Sequence, residues 1–174
     1  SDVVLRDLKL NACETGIRLS QPGASGSQIV MEDVRIAGTG EGIVCETCTD
    51  VVIRRARLEA INQRTGKLGV GFFFGATTTG VVIEDSEMTD SSANGIVSEG
   101  KEIFVSNSAI HQLTGSPVKL SNGGTVNNCD LRGNRLPPAL RGGGTYRWRG
   151  TLTEYEEIDA DGFGFQMVYD AKNS

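Results

Sequence analysis

Val81-Val82-Ile83-Glu84-Asp85-Ser86-Glu87-Met88, followed after a polar turn by Asn94-Gly95-Ile96-Val97-Ser98, is the stretch that decides the fold. Apolar residues alternate with a period of two in short runs rich in β-branched side chains, the pattern of strands. The motif apolar-x-apolar-x-x-small/apolar-x-apolar occurs six times, anchored on Leu5, Met31, Ile53, Ile83, Val105 and Val126. The steps between these anchors are 26, 22, 30, 22 and 21 residues. A repeat of that length predicts a solenoid, in which each unit buries its apolar side against its neighbours.

Stacking the units on the anchors gives columns of like residues. A corner follows each first strand at Asp7, Asp33, Arg55, Asp85, Asn107 and Asn128. A second short strand turns Leu8/Leu10, Val34/Ile36, Ala56/Leu58, Ser86/Met88, Ser108/Ile110 and Cys129/Leu131 inward. A third, usually opened by glycine, turns Ile17/Leu19, Ile43/Cys45, Ile96/Ser98 and Val118/Leu120 inward; in the third unit it falls within Val70 to Phe74. The first half of a unit also fits a leucine-rich repeat (Leu5, Leu8, Leu10, Cys13). That fold needs a helix or comparable connector in the second half, where these units have another strand.

The 174 residues suit one domain, with a net charge of −5 and a pI near 4.9. An acidic chain without a basic block argues against a nucleic-acid partner. No apolar run approaches the roughly 20 residues that span a bilayer, so no membrane partner is expected. Ser1 leads straight into a strand-like run, without a visible leader. Cys45 and Cys48 form a lone C-x-x-C without the second pair of a zinc ribbon. Cys45 and Cys129 fall at inward positions, as small buried thiols or as one half of a local disulfide.

The units V-V-I-E-D-S-E-M…N-G-I-V-S and V-x-N-C-D-L resemble the parallel β-helix repeats of the right-handed, pectate-lyase-like superfamily, over roughly residues 2 to 141. The resemblance implies a right-handed single-stranded parallel β-helix of about six coils over residues 1–141. Residues 142–174 would form a short β-rich C-terminal tail or cap. The superfamily holds pectate lyases, polygalacturonases, alginate epimerases and lyases, and phage tailspikes, besides members without enzymatic activity. It therefore implies a polysaccharide partner and an extracellular or virion-associated setting. Fold analogy alone does not establish a reaction.

Three departures from a plain solenoid supply candidate sites. Val4, Val30, Val52, Val82 and Phe104 precede the anchors and face outward as an apolar stripe roughly 20 Å long at strand spacing. Such a stripe marks a contact surface, covered by the chain's own tail or by other subunits, as in a homotrimer. Next to it Arg6, Glu32, Arg54 and Glu84 form a ladder of alternating charge, with Asp7, Asp33, Arg55 and Asp85 at the corner. Ladders commonly neutralise themselves. In the catalytic alternative, Glu32 and Glu84, or Asp33 and Asp85, flank an arginine from two coils apart, about 9.6 Å between backbones and close to the 6.5–9.5 Å between carboxyl groups of inverting glycosidases. A β-elimination site would instead need an Arg or Lys base beside a cation that neutralises a uronate carboxylate, for which Arg54 or Arg55 would serve. Glu32, Arg54, Glu84 and Asp85 are thus the candidate catalytic residues, and Arg55 a candidate binding residue.

The third unit is longer by an insertion from Glu59 to Gly69, where Arg64 and Lys67 could meet an acidic sugar. In Phe72-Phe73-Phe74, two face the core and Phe73 faces outward, or the reverse; an outward Phe73 would stack on a sugar ring or cap the apolar stripe. His111, the only histidine, lacks the surroundings of a catalytic triad and reads as a turn residue. Asp159-Ala160-Asp161-Gly162 resembles a fragment of a calcium loop without its closing glutamate, so calcium is the weakest of these expectations and no other cofactor is implied.

At the ends, Val3 begins a coil at once, as in a longer β-helix or one covered by another subunit. Leu136-Pro137-Pro138 and Gly142-Gly143-Gly144 interrupt the pattern. Six of the ten aromatic residues lie beyond Thr145. Two functions follow: a protein that binds or processes a polysaccharide on an outer strand face, by lyase or hydrolase chemistry if catalytic, or a non-catalytic spike-like shaft. A groove of converging charges favours the first; an apolar interface favours the second.

Overall fold

A computed structural model describes residues 2–20, 28–62 and 69–135, together with the backbone of four later strands. The chain is an all-β parallel β-solenoid of about five turns. The first coil is β1 (Val3–Arg6), β2 (Lys9–Asn11) and β3 (Thr15–Leu19); the second is β4 (Ile29–Glu32), β5 (Arg35–Ala37) and β6 (Glu41–Cys45). The third is β7 (Thr49–Arg54), β8 (Arg57–Glu59) and β9 (Gly69–Phe74); the fourth is β10 (Thr79–Glu84), β11 (Glu87–Thr89) and β12 (Ala93–Ser98). The fifth is β13 (Lys101–Ser106), β14 (Ala109–Ile110) and β15 (Val118–Leu120).

β16 (Gly124–Asp130) runs through both of the next strand positions, so it pairs with β13 and with β14. This joins the ladders of first and second strands into one 13-stranded sheet, while the third strands form a separate 7-stranded sheet. The expected six coils are therefore five complete ones and a sixth that begins on a continuous strand. Beyond it lie β17 (Ala139–Arg141), β18 (Gly144–Arg149), β19 (Asp159–Asp161) and β20 (Phe165–Asp170). β18 and β20 add to the first sheet, β17 and β19 to the second, all in parallel.

The register is the one the spacing demands. Met31 pairs with Leu5 and Ile53, Ile83 with Ile53 and Val105, and Val105 with Val126. From the second coil onward these anchors are buried, as are the inward residues of the second and third strands, from Val34 and Ile36 to Leu120. Phe72 and Phe74 fill the core of the long third unit, leaving Phe73 outward.

The corners follow a rule of their own. Asp7, Asp33, Arg55, Asp85, Asn107 and Asn128 all have φ between 50° and 55°. A second left-handed column stands at Ala12, Gly38, Ala60, Asp90, Gln112 and Gly133, and a third at Asp50, Gly80, Glu102 and Gly123. Among the described residues, only Asn62, within the insertion, has a positive φ off these columns. The left-handed turn keeps the corner N–H directed along the axis: Asp33 N donates to Arg54 O, Arg55 N to Glu84 O and Asp85 N to Ser106 O, each at 3.2 Å. Asn and Asp tolerate this conformation best after glycine, which explains the corner composition and makes Arg55 its exception.

The residue after the corner finds its partner inside. Ser86 Oγ accepts from Ala56 N at 3.1 Å and donates to Glu84 O at 2.9 Å. Ser108 repeats this for Ser86 N one coil further on, at 3.1 and 2.8 Å. At the second corner Ser91 serves Ile61 N, and Asn134 serves Leu113 N. Buried polar groups are costly unless paired, and here they complete the backbone. Thr39 Oγ1 is the one buried side-chain oxygen or nitrogen among the described residues without a partner.

Glycines 16, 42, 71 and 95 stack where the third strand passes over the inward tip of the second. A Cβ at Gly16, Gly42, Gly71 or Gly95 would run into Ile36, Leu58, Met88 or Ile110 respectively, and into the backbone oxygen of the next coil. Gly71→Ala is expected to destabilise the fold by more than about 2 kcal/mol, at the upper end of overpacking costs. Ala60→Gly, at φ 55°, is expected to stabilise it by about 0.5–1 kcal/mol, because strain relief outweighs the added chain entropy. Urea unfolding of the two variants checks both signs.

Candidate functional site

The outer face of the first sheet carries three adjacent columns. The ladder on the first strands is continuous: Arg6 Nε lies 2.8 Å from Glu32, Arg54 lies 3.7 Å from Glu32, and Arg54 Nε bonds Glu84. Glu32, Arg54 and Glu84, three of the four expected catalytic residues, thus occupy successive rungs, in register through β4, β7 and β10. Their charges are spent on one another. Glu32 is the most enclosed, its side chain 14% exposed.

The corner column carries Asp85, the fourth, with Arg55. Arg55 clamps Asp33 with two parallel bonds, Nε–Oδ1 and Nη2–Oδ2, each 2.9 Å. This hydrogen-bonded pair holds the Asp33 carboxyl below the usual carboxylate range, with Arg35 and Arg6 adding smaller attractions. Asp33, then Glu32 and Asp85, raise the pKa of the Arg55 guanidinium. Asp85 faces Arg55 from the rung beyond.

The next column belongs to the second strands and was not singled out by the sequence pattern. Lys9 pairs in register with Arg35, and Arg35 with Arg57. Three cations therefore stand in consecutive rungs, about 4.8 Å apart. Arg57 is bonded to Glu87, the next residue of the column. Lys9 and Arg35 form no ion pair among the described residues. The signal was present as a charged first residue in the second strands of the first four coils, but the period-two reading weighed only the inward positions.

Corner and second-strand columns enclose a shallow groove of about 390 Å³ lined by Asp7, Asp33, Asp85, Lys9, Arg35, Arg55 and Arg57. It has four cations to three carboxylates, locally positive on a chain of net charge −5. All seven residues lie on one surface because the corner is the same in every coil.

The remaining expected site residues are elsewhere. Phe73 stands on the second sheet, in a column Arg18–Val44–Phe73–Val97–Lys119. The stripe of Val4, Val30, Val52, Val82 and Phe104 is on the first sheet, so Phe73 does not cap it. Arg64 and Lys67 lie outside the described residues. His111 Nε2 sits 3.9 Å from Glu87 Oε1, beside the Arg57 end of the second-strand column. None of the four cysteines is in a disulfide. Contact with Cys48 and burial push the Cys45 thiol up; burial takes Cys129 to about 11. Both are held as neutral thiols, poor nucleophiles and metal ligands. Among the described residues no cluster of three or more His, Cys, Asp or Glu could hold a metal ion. The Asp159–Asp161 segment is strand β19, and its side chains lie outside the described residues.

Comparison of the chain with protein-family models, with curated proteins and with solved structures found no match.

Because the Asp33 carboxylate is stabilised by Arg55, the pair favours the fold above the ordinary carboxylate pKa. That contribution is lost as pH falls through the lowered value. In Arg55→Gln the Asp33 titration, followed by NMR of its side-chain carbon, is expected to move up toward 3.8. An unchanged midpoint would mean that Arg55 does not hold it.

Proposed function

We propose that this chain is a pectate-lyase-like β-helix protein that binds an acidic polysaccharide along the groove between its first and second strands. The single observation behind this is the in-register stack Lys9–Arg35–Arg57, in which Lys9 and Arg35 have no ion-pair partner among the described residues. Like charges at strand spacing repel, so the stack gains from an anion laid across it. A uronate polymer repeats its carboxylates along an extended chain. Guanidinium groups meet such carboxylates with two parallel hydrogen bonds. Asp7, Asp33 and Asp85 supply acceptors for sugar hydroxyls between the cations.

The Asp33–Arg55 pair suits binding better than cleavage at that corner. Glycoside hydrolysis needs one carboxyl group kept protonated as general acid. Asp33 is held ionised by its arginine. β-Elimination needs a base to remove a sugar-ring proton, and an arginine whose pKa is raised is a poor base. Arg55 suits the neutralising role instead, shared between Asp33, Asp85 and a substrate carboxylate. The groove therefore holds the polymer through charge-assisted hydrogen bonds, in a setting outside the cell or on a virion.

Calorimetric titration with oligogalacturonate and with oligoalginate, against neutral dextran as control, tests this. Binding is expected for at least one acidic oligomer, weakening as salt rises. Arg35→Ala should lose about tenfold in affinity, the loss of one charged hydrogen bond, while Lys119→Ala on the other sheet should bind as the wild type does. Equal affinity of Arg35→Ala and wild type, or no binding of either oligomer at low salt, overturns the assignment.

A further inference from the structure

The apolar stripe of the first sheet is flanked by columns of different charge, and their rung-by-rung order specifies a partner. Val4 is 52% exposed and Phe104 48%, with Val30, Val52 and Val82 half-buried between them. On one side stands the column Asp2, Gln28, Asp50, Gly80, Glu102, Gly123, three residues before each anchor. It carries three carboxylates and no cation. A groove of about 370 Å³ runs between this column and the stripe, walled by Val52, Val82 and Phe104 with Asp50 and Glu102 at its rim. On the other side stands Arg6, Glu32, Arg54, Glu84, Ser106, Asn127, with no net charge.

We propose that copies of this chain pack through this stripe with their solenoid axes parallel, related by a rotation axis along the solenoid. Such a rotation brings the acidic edge of one copy against the mixed-charge edge of the next, at the same rung. Asp2 then faces Arg6 and Asp50 faces Arg54. Glu32 faces Gln28, Glu84 faces Gly80, and Glu102 faces Ser106. No carboxylate meets another at its own rung. The antiparallel arrangement, with the two-fold axis across the solenoid, sets the three-carboxylate edge against its own copy and concentrates like charge along one seam. The described tail strands β18 and β20 are themselves rungs of the first sheet, so they do not cover the stripe. A second copy has both the apolar column and the matching edges.

The three columns make a face about 13 Å wide and about 24 Å long at strand spacing. That is less than the roughly 800 Å² per partner of a standard interface. Association is accordingly concentration-dependent and sensitive to one large side chain. This inference stands independently of the polysaccharide reading.

Light scattering of the wild-type chain from micromolar to millimolar concentration is expected to show a rise to two or three copies, and Phe104→Glu, an exposed position, to stay monomeric. A wild type monomeric throughout, or a Phe104→Glu variant that assembles as well, overturns the proposal. Orientation is read separately in Cys13→Ser chains carrying one nitroxide, at Gln28→Cys or at Asn127→Cys. A parallel assembly places both kinds of label pair at similar short distances, within about 25 Å, because each label sits at the rung of its own mate. An antiparallel one separates the Asn127 labels by a further five rungs, about 24 Å along the axis. That result would overturn the parallel register even if the chain assembles.

Discussion

Everything in this molecule depends on backbone hydrogen bonding that runs along the axis without a break, around corners as well as along strands. A strand ladder does this by itself. A corner does not, because bending the chain turns its N–H and C=O groups away from the neighbouring coil, and a buried unpaired backbone group costs about as much as a lost hydrogen bond. The left-handed residue is the solution. Asp33, Arg55 and Asp85 reverse the local curvature while still donating to the next coil at 3.2 Å. The residue just past the corner then relies on an inward Ser or Asn from the coil above, as Ala56 does on Ser86. Once both devices repeat, each coil fixes the height and rotation of the next, and like residues must stand over one another.

That stacking explains why much of the architecture was legible in the sequence. Anchor spacing alone placed Met31, Ile53 and Ile83 in one column, and alternation identified the inward partners down to the small residues Ala56, Ser86 and Cys129. Less legible were the reasons for particular small or polar residues. Ser86 and Ser108 were placed inward only as small residues of the motif, whereas they are hydrogen-bond bridges. The glycines opening the third strands looked like turn residues. Gly16, Gly42, Gly71 and Gly95 have no positive φ; they are small because Ile36, Leu58, Met88 and Ile110 pass against them. β16 was hidden because its continuity depends on pairing with two strands of different ladders, a tertiary fact.

The candidate site was legible in part. Glu32, Arg54 and Glu84 were correctly placed on successive rungs of one face, yet their proximity lets them neutralise one another. At about 4.8 Å between rungs, a column of charges lowers its energy by alternating in sign. Lys9–Arg35–Arg57 breaks that alternation and was missed, because nothing in an apolar period marks an outward column. Alternation left open whether Phe73 or its two neighbours face outward; the structure turns Phe73 outward, on the other sheet. Its position depends on which strand of the coil it occupies, not on its neighbours in sequence.

A solenoid therefore separates two tasks that a globular core would mix. The inward columns are nearly interchangeable from coil to coil, so they fix the frame and leave the outward columns free to vary. On the first sheet that freedom produces, within a few residues of each coil, an acidic edge, an apolar stripe, a self-neutralised ladder, a carboxylate corner and a cationic column. A ligand recognised by one of these columns is extended along the axis, because each column runs along it. A polymer with regularly spaced charges and a second solenoid with the same rung height both meet that condition. The groove and the stripe are separated by the Arg6–Glu32–Arg54–Glu84 ladder. The groove is lined by none of the ladder residues, so it stays open when a second copy covers the stripe.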